Sequence, residues 1–497
     1  DYITFFVNLC EFRATFKYKA FFERFFTILK IDGRVGIVVP SGIYTDQGCQ
    51  PLRERFFNRS RIEFLYCFEN RWPTVFNAVD GRFKFVTFGT QKGGKTDDIR
   101  CAFMEHDPER LRAIDMNALQ MSMEDVRRFS PESLNLMEFG SQTEVEITAQ
   151  IYNKHPHLHD KQSDSWNVSL TQDFNLTSDN HLFNRNREGL RLYEGKALFS
   201  FDHEFADISL WISEEYVKEK FLYKKWKKLI DAGRKPDKTD YEFYRGAFRR
   251  IAASTNERTL LATVLPARTV CPHTTFSIQR IVPGKNGEPE YLINSAQTAW
   301  LVAVLNSFSL DFVIRHKIST GLDMHFVYTL PVPRMRDGCT GDDTFFWPIV
   351  GRCLRLVCTT NDFTDYWREI FSQGWQSPDF WYPSSAPIDT YGPAHEQDIR
   401  KRLRDEAGKL TPEWGPHCGV HDRLPDRRDT GDRAQLRAEI DAYVAHLYGL
   451  SRDDFAYILD TFPVLKKKEK KAFGEFMSKR KCLEEYDRIG KIMNAEG

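Results

Sequence analysis

The chain contains ten cysteines in 497 residues, yet no two of them stand at the C-x-x-C spacing. Zinc ribbons need cysteine pairs of this kind, so their absence argues against that class of structural metal site. Scattered cysteines are typical of a reducing compartment. We therefore expect a cytoplasmic protein without a metal site.

Three further absences narrow the class of protein. No run approaches the ~20 apolar residues that cross a bilayer, so no membrane partner is expected. Neither a G-x-S-x-G elbow nor a Walker loop is present, which argues against a serine hydrolase and a P-loop enzyme. Net charge is also lacking, because 70 basic residues balance 70 acidic ones. A nucleic-acid-binding protein of this composition needs a locally basic face.

The strongest strand signal lies at residues 33–42, which read GRVGIVVPSG. An apolar run without polar alternation is typical of a strand buried on both faces of a parallel sheet. Ligands of such sheets bind at the carboxyl ends of the strands. We therefore predict that Pro40 and Ser41 lie beside a ligand site.

The surrounding patterns predict the end of a doubly wound α/β domain. One helix face is formed by phenylalanines and a leucine at helical spacing, and the glycine of Asp32-Gly33 is expected to end that helix. Alternation over residues 62–68 and the run 83–88 predict two more strands. Helix, strand, helix, strand, strand fits only part of such a domain. The helical face consists of Phe22, Phe25, Phe26 and Leu29.

The rest of the chain divides by composition and periodicity. Strands are predicted at 259–266 and 269–278, and a helix capped by Asn294 and Gln297 is expected to present one apolar face as far as Phe312. Histidines 155, 157 and 159 favour a solvated loop over a metal site, because Pro156 breaks any helix there. The predicted segments are an α/β domain at 1–105, a helical linker at 106–163, a mixed α+β domain at 164–336, an irregular connector at 337–432 and a helical tail at 433–497.

The densest positive charge lies in residues 217–250, which hold 12 Lys or Arg against 5 Asp or Glu. Cations neutralise phosphates, and the interleaved aromatic residues offer either stacking faces or a packed back face. The alternative interpretation is a solvated helix whose aromatic residues pack inward. The densest part of the segment consists of Lys224, Lys225, Lys227 and Lys228.

Five arginines are candidates for phosphate or guanine contacts, because their planar forks suit bidentate recognition. Three of them would share a helical region, and two flank a predicted strand. Surface ion pairs are an equally good interpretation for any one of them. The five are Arg245, Arg249, Arg250, Arg258 and Arg268. The lysines of residues 466–471 are interpreted as a solvated face.

An ordered set of motifs resembles the carboxyl-terminal part of adenine-specific DNA methyltransferases of the type IIG restriction-modification and BREX phage-defence kind. The resemblance runs through most of the chain. Its motifs are residues 33–46, FENR at 68–71 with RFKF at 82–85, FSFDHEF at 199–205, AASTNERTLLATVLPAR at 252–268, residues 305–333 and YGLSRDDFAYILDTFP at 448–463.

The resemblance implies a Rossmann-like methyltransferase sheet followed by a target-recognition domain at 164–336. It also implies methyl transfer from S-adenosylmethionine to adenine N6 in duplex DNA. The target base would be flipped out and stacked on an aromatic residue near Pro40 and Ser41, for which Phe85 and Phe88 are candidates. The alternative for either phenylalanine is a place in the sheet core.

The sequence departs from the family at two points. Neither the glycine-rich cofactor loop nor the Asn-Pro-Pro-aromatic catalytic motif is present, so no catalytic residue is assigned to this chain. The expected partners are double-stranded DNA and either a methyltransferase half that carries those motifs or other subunits of a defence system. The rival hypothesis is a non-catalytic DNA-binding or scaffold subunit.

Overall fold

The computed structural model describes residues 17–71, 75–161, 164–253, 255–318, 321–334, 345–374 and 432–496. The chain divides into two compact units, Asp1–Asn153 and Lys154–Gly497. Each is a mixture of helices and strands, and the second ends in helices, which confirms a mixed α/β fold with a helical carboxyl-terminal region.

The first unit is built on one five-stranded mixed sheet in the order β1-β3-β2-β4-β5. Only the β2–β4 pair is parallel; the other three pairs of this sheet are antiparallel. The strands are β1 (Arg34–Pro40), β2 (Ser60–Glu69), β3 (Lys84–Lys92), β4 (Asp98–Glu105) and β5 (Leu119–Ser122).

The prediction that β1 is buried on both faces of a parallel sheet is wrong. Within the described residues β1 pairs with β3 alone and antiparallel, so it is an edge strand. Its exposure alternates, and Val38 is 52% exposed. An apolar run by itself does not distinguish a central strand from an edge strand whose outer face is also apolar.

The helices of the first unit pack phenylalanines against the sheet. Phe22 and Phe56 have ring centroids 4.4 Å apart, and Phe22 lies 5.2 Å from Phe88 of β3. The predicted first helix is confirmed, but the left-handed residue after it is Asp32, with φ 61°, and not the expected glycine. The helices are α1 (Lys17–Ile28), α2 (Gly42–Thr45), α3 (Gln50–Arg59), α4 (Leu111–Met116), α5 (Met123–Phe129) and α6 (Gln142–Lys154).

The second unit carries three small sheets. Their strand orders are β11-β10-β13-β6, β12-β8-β9-β7 and β14-β15. The strands are β6 (Leu170–Thr171), β7 (Phe183–Asn184), β8 (Leu190–Leu192), β9 (Trp211–Ile212), β10 (Arg245–Arg249), β11 (Ala262–Leu265), β12 (Thr269–Val270), β13 (Thr275–Ile278), β14 (Ile281–Pro283) and β15 (Pro289–Tyr291).

Around these sheets the chain forms a series of helices. They are α7 (Glu214–Lys218), α8 (Lys227–Asp231), α9 (Ser295–Leu305), α10 (Phe308–Arg315), α11 (Met324–Tyr328), α12 (Phe346–Val357), α13 (Thr364–Gly374), α14 (Asp432–Leu447), α15 (Arg452–Asp460), α16 (Pro463–Phe473) and α17 (Met477–Glu496). A π-helical turn, Glu219–Lys224, follows α7.

The single helix predicted through Phe312 is two helices, α9 and α10, which meet at 61°. Asn294 and Gln297 form the predicted capping box at the start of α9. Every residue of α9 is buried, so it lies in the centre of the unit and has no solvent face. By length and composition no single described helix could cross a membrane, whereas the bent α9–α10 pair passes that test.

The predicted irregular connector is wrong for residues 345–374, where α12 and α13 form. Their apolar residues enter the core: Ile349, Leu356 and Ile370 are fully buried. Proline, tryptophan and charge in the composition concealed this apolar face. The remainder of the connector, apart from residue 432, lies outside the described residues.

The helical tail agrees with its local signals. Gly449 adopts a left-handed conformation with φ 65° after α14, and Ser451 with Asp454 forms a capping box at the start of α15. Near this tail the histidine loop is partly buried: the three histidines are half-buried, Leu158 is fully buried, and His155 Nε2 lies 2.8 Å from the Leu447 carbonyl oxygen.

Candidate nucleic-acid interface

The turn after β1 is closed by the chain itself. Ser41 donates its backbone N–H to the Lys84 carbonyl oxygen, and α2 begins at Gly42. A Cβ at Gly42 would meet the Asp46 carboxylate at 2.5 Å and the Tyr18 hydroxyl at 2.7 Å. Glycine is therefore needed here for close packing of the turn, and the space beside it is already filled.

The side chain of a buried arginine holds the same turn in place through hydrogen bonds to backbone carbonyl oxygens. Arg53 is 3% exposed and donates hydrogen bonds to the carbonyl oxygens of Ile43, Asp46 and Ser133 at 2.6–3.0 Å. Burial lowers the pKa of Arg53 to about 10, which still leaves the guanidinium charged at neutral pH. These hydrogen bonds hold the turn after β1 in place.

A small polar cluster lies beside this turn. The Tyr44 hydroxyl is 2.7 Å from Glu138 Oε1 and 3.0 Å from Cys67 Sγ, while Lys84 Nζ is 2.6 Å from Glu138 Oε2. Burial raises the pKa of Cys67 to about 12 and that of Tyr44 well above its usual range. Both groups are therefore neutral at physiological pH and serve as hydrogen-bonding residues, not as nucleophiles.

The two aromatic candidates for the base pocket both lie in the sheet core. Phe88 is 4% exposed and packs against Phe22 and Phe56. Phe85 is 8% exposed and stacks on Phe68 at 5.4 Å. Neither ring offers an open face to a base, so the core alternative describes both positions.

Sequence reasoning missed an exposed ring at the same edge of the sheet. Phe76 is 40% exposed and meets Phe85 edge-on at 5.0 Å. Asn70 holds its loop with four hydrogen bonds, two of them to Phe76 itself. The asparagine of the FENR motif was the available signal, because a buried asparagine side chain usually fixes a loop.

In the second unit, four lysines project from a short helical segment, and we call Lys224, Lys225, Lys227 and Lys228 the lysine ridge. Ser213 caps α7 by accepting the Glu215 N–H, and the π-helical turn then carries the chain into α8. Three members, Lys224, Lys227 and Lys228, are exposed and make no ion pair with any residue that the structure describes. Lys225 Nζ lies 4.5 Å from the centroid of the Phe221 ring.

The aromatic residues interleaved with these lysines form the back face. Phe221, Trp226 and Tyr241 are no more than 2% exposed. Phe221 belongs to a cluster that includes Val217 and Tyr241, whereas Trp226 packs with Leu229 in a separate cluster. The inward-packing alternative is therefore correct for these three aromatic residues.

Two candidate arginines are structural and not available to DNA. Arg245 is fully buried on strand β10 and not on the expected helix, and it forms ion pairs at 3.0 Å with Asp173 and Asp240. Arg258 is 3% exposed and binds Asp311 at 2.6 Å. Each guanidinium has a carboxylate partner distant in sequence, Asp173 for Arg245 and Asp311 for Arg258, which local charge counting does not detect.

The other three arginines lie nearer the surface but are engaged. Arg249 Nε donates to the Gly195 carbonyl oxygen at 2.5 Å. Arg250 and Arg268 form ion pairs with Asp323 and Glu214 at 3.0 Å and 2.5 Å. A phosphate would have to compete with these partners.

Two lysines of the second basic run have acidic partners, and the described residues hold no cluster of metal ligands. In the basic run of α16, Lys466 pairs with Asp460 and Lys468 with Glu257. Among the residues that the structure describes, no three His, Cys, Asp or Glu side chains come together as metal ligands.

The turn after β1 does not have the form of a glycine-rich cofactor loop. A cofactor held against a glycine-rich turn needs open space beside the glycine backbone, and at Gly42 this space contains Asp46 and Tyr18. No chemical step on this chain is therefore assigned to the cofactor.

Comparison with known proteins gives fold-level likenesses only. No family model and no curated protein matches the chain. Solved structures that resemble it include the type IIL restriction-modification enzyme MmeI in complex with DNA (TM-score 0.42, 11% identity, 90% of this chain and 52% of that one) and the type IIG restriction endonuclease BpuSI (0.28, 12%, 80% and 49%). A third is the DrdV–DNA complex (0.36, 9%, 70% and 40%). The chain spans about half or less of their length, and likenesses with TM-scores below 0.5 assign it neither an activity nor a site.

Proposed function

We propose that this chain supplies the DNA-contacting part of a site-specific DNA adenine-N6 methyltransferase in a restriction-modification or phage-defence system. The observation that carries the proposal is the lysine ridge. Its three exposed lysines lack carboxylate partners in the described part of the chain, and the segment is backed by a rigid aromatic core. Unpaired cations on a fixed surface are what phosphate binding requires.

The methyltransferase role rests on the ordered motifs and on two properties of the first unit. The outer edge of β1 has no strand partner in the described residues. Beside it Phe21, Ile28 and Val38 are 61%, 60% and 52% exposed. An open strand edge with neighbouring apolar side chains is a surface that proteins normally cover. We propose that a methyltransferase segment that carries the cofactor loop and the catalytic motif covers it.

Within this function, Phe76 is the best-placed aromatic residue for a flipped base. It is exposed at the same sheet edge as the turn after β1, and Asn70 fixes its loop. Extrahelical bases need an accessible ring that recovers the energy lost by unstacking. Phe85 and Phe88 have no such face.

Binding of a fluorescent, mixed-sequence duplex by the purified chain tests the DNA-contacting role. We expect binding that weakens steeply with salt and depends on the lysine ridge. Methylation by the complete enzyme, measured with labelled S-adenosylmethionine, tests the wider role. DNA binding without methyl transfer in any context would favour the scaffold alternative, which shares the ridge.

A further inference from the structure

A cavity of about 630 Å³ lies inside the second unit, away from the ridge. Its walls come from the FSFDHEF motif, from the start of α10 and from the tail helices α14, α16 and α17. Small-molecule sites usually measure 300–1,000 Å³ and combine apolar walls with a few placed polar groups. The cavity has both, and the proposed DNA contact does not use it.

One wall is aromatic. Phe199 and Phe205 stack with ring centroids 4.7 Å apart and planes 18° apart, and both line the cavity. Between them Phe201 adopts a positive φ of 58°. A bulky residue in this region is strained, and such strain persists only where the surroundings enforce it. The strained backbone at Phe201 therefore lies between the two stacked phenylalanines of the motif.

The lining also includes a buried carboxylate. Asp441 on α14 is 4% exposed, and one of its oxygens accepts the Phe308 N–H at 2.7 Å. Its second oxygen accepts no hydrogen bond from the residues described, and Asp441 lines the cavity. Burial raises the pKa of Asp441 to about 6, so the group is mainly an anionic acceptor at neutral pH. A ligand with an N–H group would satisfy it.

Positive charge completes the lining. Arg437 lies on α14, one helical turn before Asp441, and Lys468 and Lys471 line the cavity from α16. Lys468 is paired with Glu257, whereas Lys471 makes no ion pair within the described ranges. A metal ion does not explain the acidic residues, because no three of them converge in the part of the chain described.

We propose that this cavity binds a nucleotide: a nucleobase stacked on the Phe199–Phe205 pair, an N–H of its edge donated to Asp441, and its phosphate beside Lys471. Stacking is available to every base, and a carboxylate accepts from base amino groups. The phosphate matches the free lysine. The nucleotide comes either free from solution or from a DNA strand out of which it is flipped, and the two experiments below distinguish these sources.

Calorimetric titration of the full chain with the four mononucleotides tests the free source, with adenosine and ribose 5-phosphate as partial ligands. We expect at least one mononucleotide to bind more tightly than either partial ligand. Asp441→Asn keeps an oxygen for Phe308 but replaces the free acceptor with a donor, so it should weaken binding about tenfold. Lys471→Ala should weaken it about threefold, because its exposed charge is partly screened.

The matched control is Lys467→Ala. This lysine is also exposed on α16 but does not line the cavity, so its removal should leave nucleotide affinity unchanged. Because Lys471 is on the surface, its substitution does not endanger the fold, and the comparison holds even if the Asp441 variant is unstable. Equal effects of the two lysine substitutions would overturn the proposal.

A duplex that contains 2-aminopurine tests the DNA source. If the nucleotide comes from DNA, 2-aminopurine fluorescence should rise on binding and the rise should be lost in Lys471→Ala but not in Lys467→Ala. Either source supports the cavity as a nucleotide site, and no response in both experiments would refute it. The titration with free nucleotides does not require the lysine ridge, so its result is independent of the proposed DNA contact.

Discussion

Removal of the lysine ridge is the most direct perturbation of the proposed DNA surface. The change is the quadruple substitution of Lys224, Lys225, Lys227 and Lys228 by alanine. Three of these side chains are exposed without a carboxylate partner in the described residues, so they are free to meet phosphates. The fourth, Lys225, lies over the Phe221 ring and is expected to contribute less.

The magnitude follows from counterion release. Each phosphate contact contributes about 0.9 to the slope of log affinity against log salt, so loss of three contacts should flatten the slope by about 2.7. Between 50 and 200 mM salt, those three contacts account for about a fortyfold change in affinity. Substitution of exposed side chains should change the free energy of unfolding by no more than about 0.5 kcal/mol.

The assay is fluorescence anisotropy of a labelled duplex over this salt range, for several unrelated sequences. Phosphate contacts carry no sequence information, so the loss should be similar for all of them. A control variant removes four charges from the tail: Lys466, Lys467, Lys470 and Lys479, two of which bind Asp460. If the ridge variant keeps the wild-type slope, or if the control flattens it equally, the ridge is only a solvated face.

Four further substitutions test the remaining assignments. Phe88→Ala should lower the free energy of unfolding by about 3–5 kcal/mol in urea, because it opens a core cavity, whereas Phe76→Ala should spare stability and slow methylation by the complete enzyme about tenfold through loss of base stacking. Arg258→Ala should destabilise the chain by about 3–5 kcal/mol, because it removes the closer of the two buried ion pairs of Asp311 and leaves only the longer one to Arg315, and urea unfolding measures the loss. Burial raises the pKa of Glu485 to about 7, so the stability that this group contributes should be full below its unfolded value of about 4.3 and should be lost as the pH rises through 7. Urea unfolding at pH 5 and pH 8 should show this loss in the wild type and a smaller one in Glu485→Gln.

Local chemistry in the sequence predicted local structure well. The capping box of Asn294 and Gln297 depends on contacts within a few residues, and it is present at the start of α9. The helix predicted from the spacing of Phe22, Phe25 and Phe26 also depends on local periodicity, and it forms as α1. Such signals need no knowledge of distant parts of the chain.

The wrong predictions concern partners that are distant in sequence. The strand β1 is apolar whether it is central or at an edge, and only its pairing with β3 alone shows that it is an edge strand. In the same way Phe76 and Phe88 are both phenylalanines near the same turn. Packing against α1 and α3 makes the second a core residue, while the loop fixed by Asn70 exposes the first.

The charged residues of 217–250 differ in whether they have an acidic partner inside the unit, and this difference distinguishes exposed candidates for phosphate binding from buried ion pairs. Arg245 and Lys224 belong to the same basic segment, but Arg245 meets Asp173 and Asp240 inside the unit, and Lys224 has no acidic partner in the described residues. A guanidinium enters the core only when carboxylates offset its desolvation, which for Arg245 comes in part from a residue 72 positions away. A lysine without such a partner must stay in water, where a phosphate is the strongest available anion. High local charge density therefore identifies a candidate DNA surface only after the internally neutralised residues are removed. In this segment the lysine ridge, Lys235 and Lys238 then remain without an acidic partner among the described residues.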